Sequence, residues 1–466
     1  FGPIESAKVL SGGEDFDVIN NPKIEVSSGI GTIAKIQPVI SGKFEKVYVD
    51  SQDYNIDNIV LIEISGGNGK GAVIEPVLVN RPRNVLFNAD ESTTGGGVNQ
   101  STNQISFLTD HNFINGQQVI YNSLGNNPIS IGTAGYNFEL PDNSSYFVEV
   151  TNNKTIKLYY NLDDQQSGNN PVGIFTGSSG SHRFSTVDTK KQVDYIKIID
   201  GGEGYSNRKL IVRPTGVSTI ENTINFTNHG FESGELVEYS AETSTIQGLT
   251  TTSSYYIKKL TNDTFQLADG GVGGVSIDNY NRGKYVDFQS KGEGFQIFKY
   301  PDIKVNISVS YGSTVTGDIT ITPVVTGELI GAYLYEEGTN YGSTILDKEV
   351  IPKVSIENGR FAEFKPIVVG GRVIDVAVVN QGREYNSSPD VRVITTGSGR
   401  GAGAVVRPVV ENGFVIDAIV TNPGIGYDSN TTEVRAFPRG SGGKFSARVR
   451  SLTLNNASRF GDTQLT

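Results

Sequence analysis

Three histidines are the side chains most suited to metal binding or general acid–base chemistry: His111, His182 and His229. His111 and His229 hold matching places in two similar segments, Asp-His-Asn-Phe and Asn-His-Gly-Phe, each before an apolar run. A metal site needs several ligands that converge within one fold, and each segment offers one histidine. We therefore expect these two histidines to cap turns.

Adjacent acidic residues are the other candidates for catalysis. A glycosidase needs two carboxylates that face each other roughly 5 to 10 Å apart. Neighbours on a strand point to opposite faces, so adjacent acids do not meet this need. No G-x-S-x-G nucleophile motif is present either. We predict that the chain is not an enzyme and that the three pairs are solvated turn charges: Glu14/Asp15, Asp163/Asp164 and Glu336/Glu337.

Two glycine-rich segments resemble phosphate-binding loops only in composition. SGGNGKGA (65–72) and GSGRGAGA (397–404) do not match the P-loop pattern, and neither opens a helix that would hold an anion. We expect turns or bulges that lead into a strand. Calcium is the better ion candidate, through loops 50–57 and 263–269, although neither loop has an EF-hand signature. We predict no cofactor.

Composition limits the class of protein and its partners. The 466 residues include 56 Gly, 36% hydrophobic residues and no Cys, with a net charge of -11. Glycine suits tight turns, whereas a surface that binds nucleic acid would need concentrated cations. No apolar run approaches the ~20 residues that cross a bilayer. Because Met and Trp are absent and the chain starts at Phe1, we expect a segment or a processed product of a longer polypeptide.

A proline recurs in a strand-like pattern, apolar-x-Pro-apolar-apolar. Proline cannot donate a hydrogen bond to a sheet, so each copy is expected at an edge or at a strand start. The copies are IQPVI, IEPVL, ITPVV, FKPIV and VRPVV, with prolines Pro38, Pro76, Pro323, Pro366 and Pro408.

A second pattern is glycine followed three residues later by an aromatic residue. The aromatic residues are Phe16, Tyr205, Phe295, Tyr341, Tyr385 and Tyr427. Tyr54 ends a degenerate copy, in which Asp53 replaces the turn glycine. In the last three copies the tyrosine lies 14 residues after a glycine, which predicts a turn at Gly327, Gly371 and Gly413. We interpret the aromatics as core anchors, with ligand stacking as the alternative.

Two longer segments repeat each other between the proline strands. Residues 106–121 resemble 225–239, and residues 144–160 resemble 253–269. In each second half, a short Asn-rich turn separates two alternating runs, which predicts a β-hairpin.

These patterns predict an all-β fold of tandem small β-units, sandwich- or barrel-like, with two inserted β-hairpin modules. The expected divisions are two proline-strand units (1–80), a first inserted module with loops (81–190), and a split unit that carries the second module, about 222–269 (191–310). Three further proline-strand units (311–450) and a polar tail (451–466) follow.

The Gly-x-Gly-Tyr and Ile-x-Pro-Val units, interleaved with F-T-N-H-G-F…G-E-L-V-E-Y modules, resemble the large repetitive virion structural proteins of marine T4-like cyanophages. The resemblance covers most of residues 1–450. It implies a structural tail, baseplate or fibre-associated component in the virion, assembled in the host cytoplasm, and gives no active-site residues. Its implied partners are other virion proteins, copies of itself and a host-surface glycan, without nucleic acid or membrane insertion.

Two alternatives remain open from sequence. A bacterial surface adhesin with carbohydrate-binding modules predicts a shallow groove lined by exposed Tyr or Phe. A polysaccharide-degrading enzyme on a β-scaffold predicts two carboxylates that converge in a cleft.

Overall fold

The computed structural model of the protein describes residues 2–450, except 29–30, 32–33, 51–55, 91–96, 108–109, 134–135, 177, 179, 275, 312–314, 342–352, 357–358, 386–387, 397–398 and 442–443. The predicted all-β fold is confirmed. Helix in the described residues is limited to α1 (Leu162–Ser167), α2 (Asp278–Asn281) and 3-10 turns at Pro214–Gly216 and Val272–Gly274. Over the same residues, no helix has the length and apolar character needed to span a membrane.

The strands are numbered in chain order. They are β1 (Ile4–Ser11), β2 (Phe16–Asp17), β3 (Ile24–Ser27), β4 (Lys35–Val49), β5 (Asn58–Ser65), β6 (Lys70–Asn88), β7 (Gly97–Asn99), β8 (Gln104–Ser106), β9 (Gln118–Asn122), β10 (Ser130–Thr133), β11 (Tyr136–Glu139), β12 (Ser145–Asn152), β13 (Thr155–Tyr159), β14 (Ile174–Thr176), β15 (Ser181–Glu203), β16 (Tyr205–Ser206), β17 (Lys209–Val212), β18 (Val217–Ser218), β19 (Thr223–Asn225), β20 (Leu236–Ala241), β21 (Ser254–Lys259), β22 (Thr264–Gly271), β23 (Gln296–Lys299), β24 (Lys304–Tyr311), β25 (Val315–Asp318), β26 (Ile321–Glu336), β27 (Lys353–Ile356), β28 (Arg360–Val369), β29 (Arg372–Arg383), β30 (Asp390–Thr395), β31 (Ala402–Glu411), β32 (Phe414–Ile425), β33 (Thr432–Phe437) and β34 (Lys444–Val449).

The proline-bearing strands form long antiparallel pairs. β28 with β29 and β31 with β32 are local hairpins, with Pro366 opposite Val376 and Pro408 opposite Ala418. β4 instead pairs with β26, and β6 pairs with β15, across long stretches of intervening chain. We call these two long pairs the β4–β26 ribbon and the β6–β15 ribbon.

Among the described residues, each of the five prolines has a strand partner on one side only. Besides the two hairpin prolines, Pro38 lies opposite Ala332, Pro323 opposite Val47, and Pro76 opposite Ile196. A residue without a backbone N–H fits such an edge position, because no ladder hydrogen bond is lost there.

Tyr427 illustrates a repeated contact that we call the tyrosine clamp. Its ring lies on Gly401 of the partner segment, so closely that a Cβ there would be 2.1 Å from the ring, and its hydroxyl accepts the N–H of Ala404 at 3.1 Å. The same contact joins three further Tyr/Gly/Ala sets: Tyr205/Gly69/Ala72, Tyr341/Gly31/Ala34 and Tyr385/Gly359/Ala362. Each clamp therefore fixes the register between two strands at one end of a pair.

A fifth copy of the ring-on-glycine contact lacks the hydroxyl. Phe16 lies on Gly440, where a Cβ would be 2.0 Å from the ring. It lies beside the pairing of β1 with β34, which brings the first and last described strands together.

The two inserted modules share one sheet order. The first runs β6-β15-β9-β12-β13-β8-β7 and the second runs β17-β23-β20-β21-β22-β19-β18. The predicted hairpins are present as β12–β13 and β21–β22. Each module therefore extends the sheet of two scaffold strands by five strands of its own.

Each module encloses its own apolar core. The first is built around residues such as Tyr121, Phe184 and Val148, and the second around Phe231, Phe265 and Phe298. The second core also includes Val39 and Tyr333 of the β4–β26 ribbon. The second module is thus packed onto the ribbon through continuous apolar surface, whose removal from water stabilises the contact.

The structure differs from the expected divisions of the chain. Residues 1–80 do not form two units of their own, because β4 and β6 find their partners at 321–336 and 181–203. Residues 311–450 contain two local hairpins and half of a ribbon in place of three units. The predicted turn at Gly327 is wrong, because Gly327 lies within β26 opposite Gly42. Tyr54 and the tail 451–466 lie outside the described residues.

Candidate functional site

A groove lies between the second inserted module and the β4–β26 ribbon. Its first part, of about 830 Å³, has β26 and β1 on one side and residues 208–230 of the second module on the other. Its second part, of about 720 Å³, is lined by Pro214, Phe295 and Glu337 among others. Arg213 and Thr215 line both parts, so the two spaces form one continuous groove.

An aromatic and cationic cluster occupies the junction of the two parts. The rings of Phe295 and Tyr335 meet edge to face, with centroids 6.2 Å apart. The Arg213 guanidinium carbon lies 5.9 Å from the Phe295 ring centroid, and its Nη2 donates to the Tyr335 carbonyl at 3.4 Å. The Phe295 N–H donates to Glu242 Oε2 at 3.1 Å. An apolar ring beside charged hydrogen-bonding groups suits a ligand with both apolar and hydroxylated faces.

Acidic residues border the same end of the groove. Glu336 accepts a hydrogen bond from Lys35 Nζ at 2.8 Å, and this bond raises the pKa of Lys35. Glu337 lies 3.9 Å from Arg450. Because Lys35 neutralises Glu336, the net electrostatic potential at this rim is small. The rim therefore offers polar contacts and little attraction for an anion.

Phe295 differs in its surroundings from the other five predicted anchors. Phe16, Tyr205, Tyr341, Tyr385 and Tyr427 are all buried, between 1% and 6% exposed. Phe295 is only half-buried and lies in the groove. It follows the same Gly-x-Gly pattern, but its ring meets Tyr335 instead of a glycine on a partner strand.

His111 and His229 cap equivalent turns in the two modules. The His111 Nδ1 accepts the N–H of Phe113 at 2.9 Å, and its Nε2 lies 2.9 Å from the Asn152 carbonyl. His229 makes the same two contacts, with Phe231 N–H and the Thr261 carbonyl, both at 3.0 Å. Both ring nitrogens are therefore used, with the proton on Nε2. The turn-capping prediction is confirmed.

Burial sets the charge state of these histidines. Desolvation lowers the pKa of both His111 and His229, so both are neutral at pH 7. His182 has a third structural role, since its Nδ1 lies 2.6 Å from the Tyr121 hydroxyl in the first core. Gln296 takes the equivalent place beside Tyr239 in the second module.

The other candidate groups also have structural surroundings. Asp163 and Asp164 lie in the first turn of α1, where the Asp164 N–H is capped by Asn161. The two glycine-rich segments contribute Gly69 and Gly401, the glycines of two tyrosine clamps. Among the described residues, no group of three metal-ligating side chains comes together.

The chain matches no protein-family model, no curated protein and no solved structure. Its candidate site therefore stands on geometry alone. Arg213 and Tyr335 were not singled out from sequence, because they are 122 residues apart and only the packing of the second module on the ribbon brings them together. The available signal in the sequence was the third Gly-x-x-aromatic copy, which ends at Phe295.

Proposed function

We propose that this chain is a non-enzymatic structural component of a contractile-tailed phage virion, as a tail, baseplate or fibre appendage or connector. The supporting observation is that a module of five strands is built twice, each time on a pair of scaffold strands, to give a seven-stranded sheet. Repeated units that bury their own cores suit a spacer that carries binding modules away from a particle.

The neighbours implied by this role are other virion proteins and further copies of this chain. Prolines at edge positions reduce unwanted pairing between copies crowded on one particle. The localisation that we propose is the virion, assembled in the host cytoplasm.

Immunogold labelling of purified particles tests the proposal directly. Antibodies raised against the recombinant chain should label the tail, baseplate or fibres. Particles that lack the chain by both labelling and peptide mass spectrometry would overturn the proposal.

Module removal tests whether the modules are appendages. Val212 lies opposite Gln296, and Asn88 lies opposite Ser181, so a two-residue Asn-Gly turn can replace either 213–295 or 89–180. We expect both shortened chains to be incorporated into particles. Loss of the second module should reduce host adsorption, because the groove is lost with it. Failure of both chains to assemble would show that the modules are part of the structural framework.

A second candidate function is a surface adhesin that binds carbohydrate, and the half-exposed Phe295 in the groove favours it. A sugar ring stacks its C–H face on an aromatic ring while its hydroxyls bond to neighbours such as Arg213 and Glu242. Glycan-array binding should fall at least tenfold in Phe295→Ala and stay unchanged in Phe138→Ala, a control 67% exposed on the first module. Equal binding by both variants would remove the groove as the sugar site.

A further inference from the structure

A second cleft lies on the first module's side of the molecule, between the β6–β15 ribbon and the two hairpins. β6 and β15 line one side, and β29 and β32 line the other. The cleft has a volume of about 190 Å³, and an adjoining space of about 230 Å³ shares Arg81, Arg372 and Pro423 with it. We propose that this cleft binds a tetrahedral oxyanion, a phosphate or sulfate group, and we call it the arginine cleft.

The arginine cleft has a cationic lining in an acidic protein. Four arginines and two aspartates line it: Arg81, Arg83, Arg183, Arg372, Asp50 and Asp194. Both aspartates already have partners. Arg81 Nη2 lies 2.6 Å from Asp194 Oδ1, and Arg407 Nε lies 2.6 Å from Asp50 Oδ1. The carboxylates are therefore neutralised by their own partners, and positive charge remains in the cleft.

Arg183 is the arginine whose surroundings indicate an anion most clearly. Its side chain is half-buried, and in the described part of the structure it makes no hydrogen bond and no ion pair. Its Nε is fully shielded from solvent. A buried guanidinium N–H without an acceptor is destabilising, so the site lacks an acceptor that a ligand would supply.

Arg372 reinforces this cationic field. It starts β29 and is exposed on the opposite wall of the cleft, again without a carboxylate partner among the described residues. Burial, followed by the charge of Arg372, lowers the pKa of Arg183. Two like charges that face one cavity repel each other, and an anion between them would attract both and offset that repulsion.

The chemistry of the lining indicates the class of ligand. Guanidinium groups match the oxygens of phosphate and sulfate in bidentate geometry, and do so more strongly when partly desolvated. Asn84, Gln192 and Thr421 add neutral hydrogen-bonding groups of the kind that contact sugar hydroxyls. The cleft volume of about 190 Å³ suits one such group or one substituted sugar.

Calorimetry with the full chain at low ionic strength tests the proposal. The probes are inorganic phosphate, inorganic sulfate, glucose 6-phosphate, glucose 6-sulfate and glucose. We expect the anionic probes to bind and glucose alone not to bind. Tighter binding of the sugar esters would identify a saccharide as the carrier, and equal binding would identify the free ion. Absence of binding by all four anions would overturn the proposal.

Matched variants locate the binding site. Arg372→Gln and Arg183→Gln should each raise the Kd for phosphate at least tenfold. Arg282→Gln removes an exposed arginine on the second module and should leave the Kd unchanged. If all three variants bind phosphate as the unchanged chain does, the anion lies elsewhere and the proposal fails.

Melting temperatures distinguish loss of the anion site from loss of folding, because a variant that folds poorly would melt at a lower temperature. Without anion, Arg183→Gln should melt at a higher temperature than the unchanged chain, since a desolvated like charge is removed. Added phosphate should raise the melting temperature of the unchanged chain and of Arg282→Gln but not that of Arg183→Gln. An equal rise in all three proteins would contradict the assignment.

Discussion

The β4–β26 ribbon and the β31–β32 hairpin carry the same sequence pattern and pair it differently. In the hairpin, Pro408 faces Ala418, ten residues later in the same segment. In the ribbon, Pro38 faces Ala332 and Pro323 faces Val47. The segments around Pro38 and Pro323 therefore do not fold back on themselves as the hairpin does. The first half of each segment pairs with the second half of the other.

The residues at the would-be turns explain the difference. Asn412 and Gly413 both have positive φ, 51° and 85°, as a two-residue type I′ turn requires. The ribbon has Ser41-Gly42 and Thr326-Gly327 at these places, and a β-branched residue such as Thr326 resists positive φ. Both segments therefore run straight on, with Gly42 opposite Gly327.

In the ribbon and the hairpin, different residues set the register of the paired strands and the choice of partner strand. Tyr341 closes the ribbon as Tyr427 closes the hairpin, with the ring on a glycine and the hydroxyl on an alanine N–H. The clamp and the apolar alternation set the register in both regions, whereas two turn residues decide which segment supplies the partner strand.

The largest predicted effect comes from a substitution at Gly42, which lies opposite Gly327 in the ribbon. In Gly42→Ala the new Cβ would lie 2.0 Å from the Thr326 carbonyl oxygen, which is main chain and cannot rotate away. We expect a loss of about 3 kcal/mol or more in the free energy of unfolding, measured by urea denaturation.

Gly331→Ala is the matched control for that loss. It lies in the same ribbon, but its Cβ would be 3.5 Å from its nearest neighbour, an ordinary contact. Equal stability of Gly42→Ala and Gly331→Ala would show that the close approach of Gly42 and Gly327 is not needed.

The next effect concerns the hairpin turn. Asn412→Ala places a residue with a Cβ and no local hydrogen bond at a φ of 51°, which costs about 1 kcal/mol in the free energy of unfolding. Asn412→Gly should recover that loss. Thermal unfolding of both variants measures it, and an Asn412→Ala protein as stable as Asn412→Gly would contradict the turn argument.

The fold class and the inserted modules could be predicted from the sequence because their signals are local. Alternation, Asn-rich turns and the matched His111 and His229 each span a few residues. The partner of β4 cannot be predicted from the proline pattern, because that pattern is the same around Pro323 in both pairings, and the glycine spacing alone does not show that Thr326 disfavours a turn. The prediction of a turn at Gly327 failed for this reason. The groove also depends on contacts between residues that are far apart in the sequence. Phe295 was therefore the one residue of its aromatic and cationic cluster that the sequence pattern singled out.

A smaller effect tests whether clamps act alike in both regions. Tyr427→Phe removes the acceptor of the Ala404 N–H, and Tyr341→Phe removes that of Ala34. Each should lower the free energy of unfolding by about 1 kcal/mol. A cost confined to the hairpin would show that the ribbon does not depend on its clamp hydroxyl. Phe16 shows that the packed ring alone is tolerated at one such position.

The smallest effect is a pH dependence that should separate the inserted modules from the hairpins. Because burial holds the pKa of His229 below its unfolded value of about 6.5, the unfolded state binds the proton first as the pH falls. The stability contributed by neutral His229 is therefore present above about pH 6.5 and is lost below it. Hydrogen exchange at pH 7.5 and 5.5, corrected for intrinsic rates, should show weaker protection in β21 and β22 at the lower pH and little change in β31 and β32.

His229→Gln locates the source of that acid sensitivity. The variant should remove the pH dependence of protection in the second module and leave that of the first module, where His111 remains. It should also lower protection at pH 7.5, because glutamine does not reproduce both ring contacts, to Phe231 and Thr261. If acid weakens protection equally in both modules of this variant, groups other than the histidines govern the pH dependence. The histidine caps would then stabilise the turns without making them sensitive to pH.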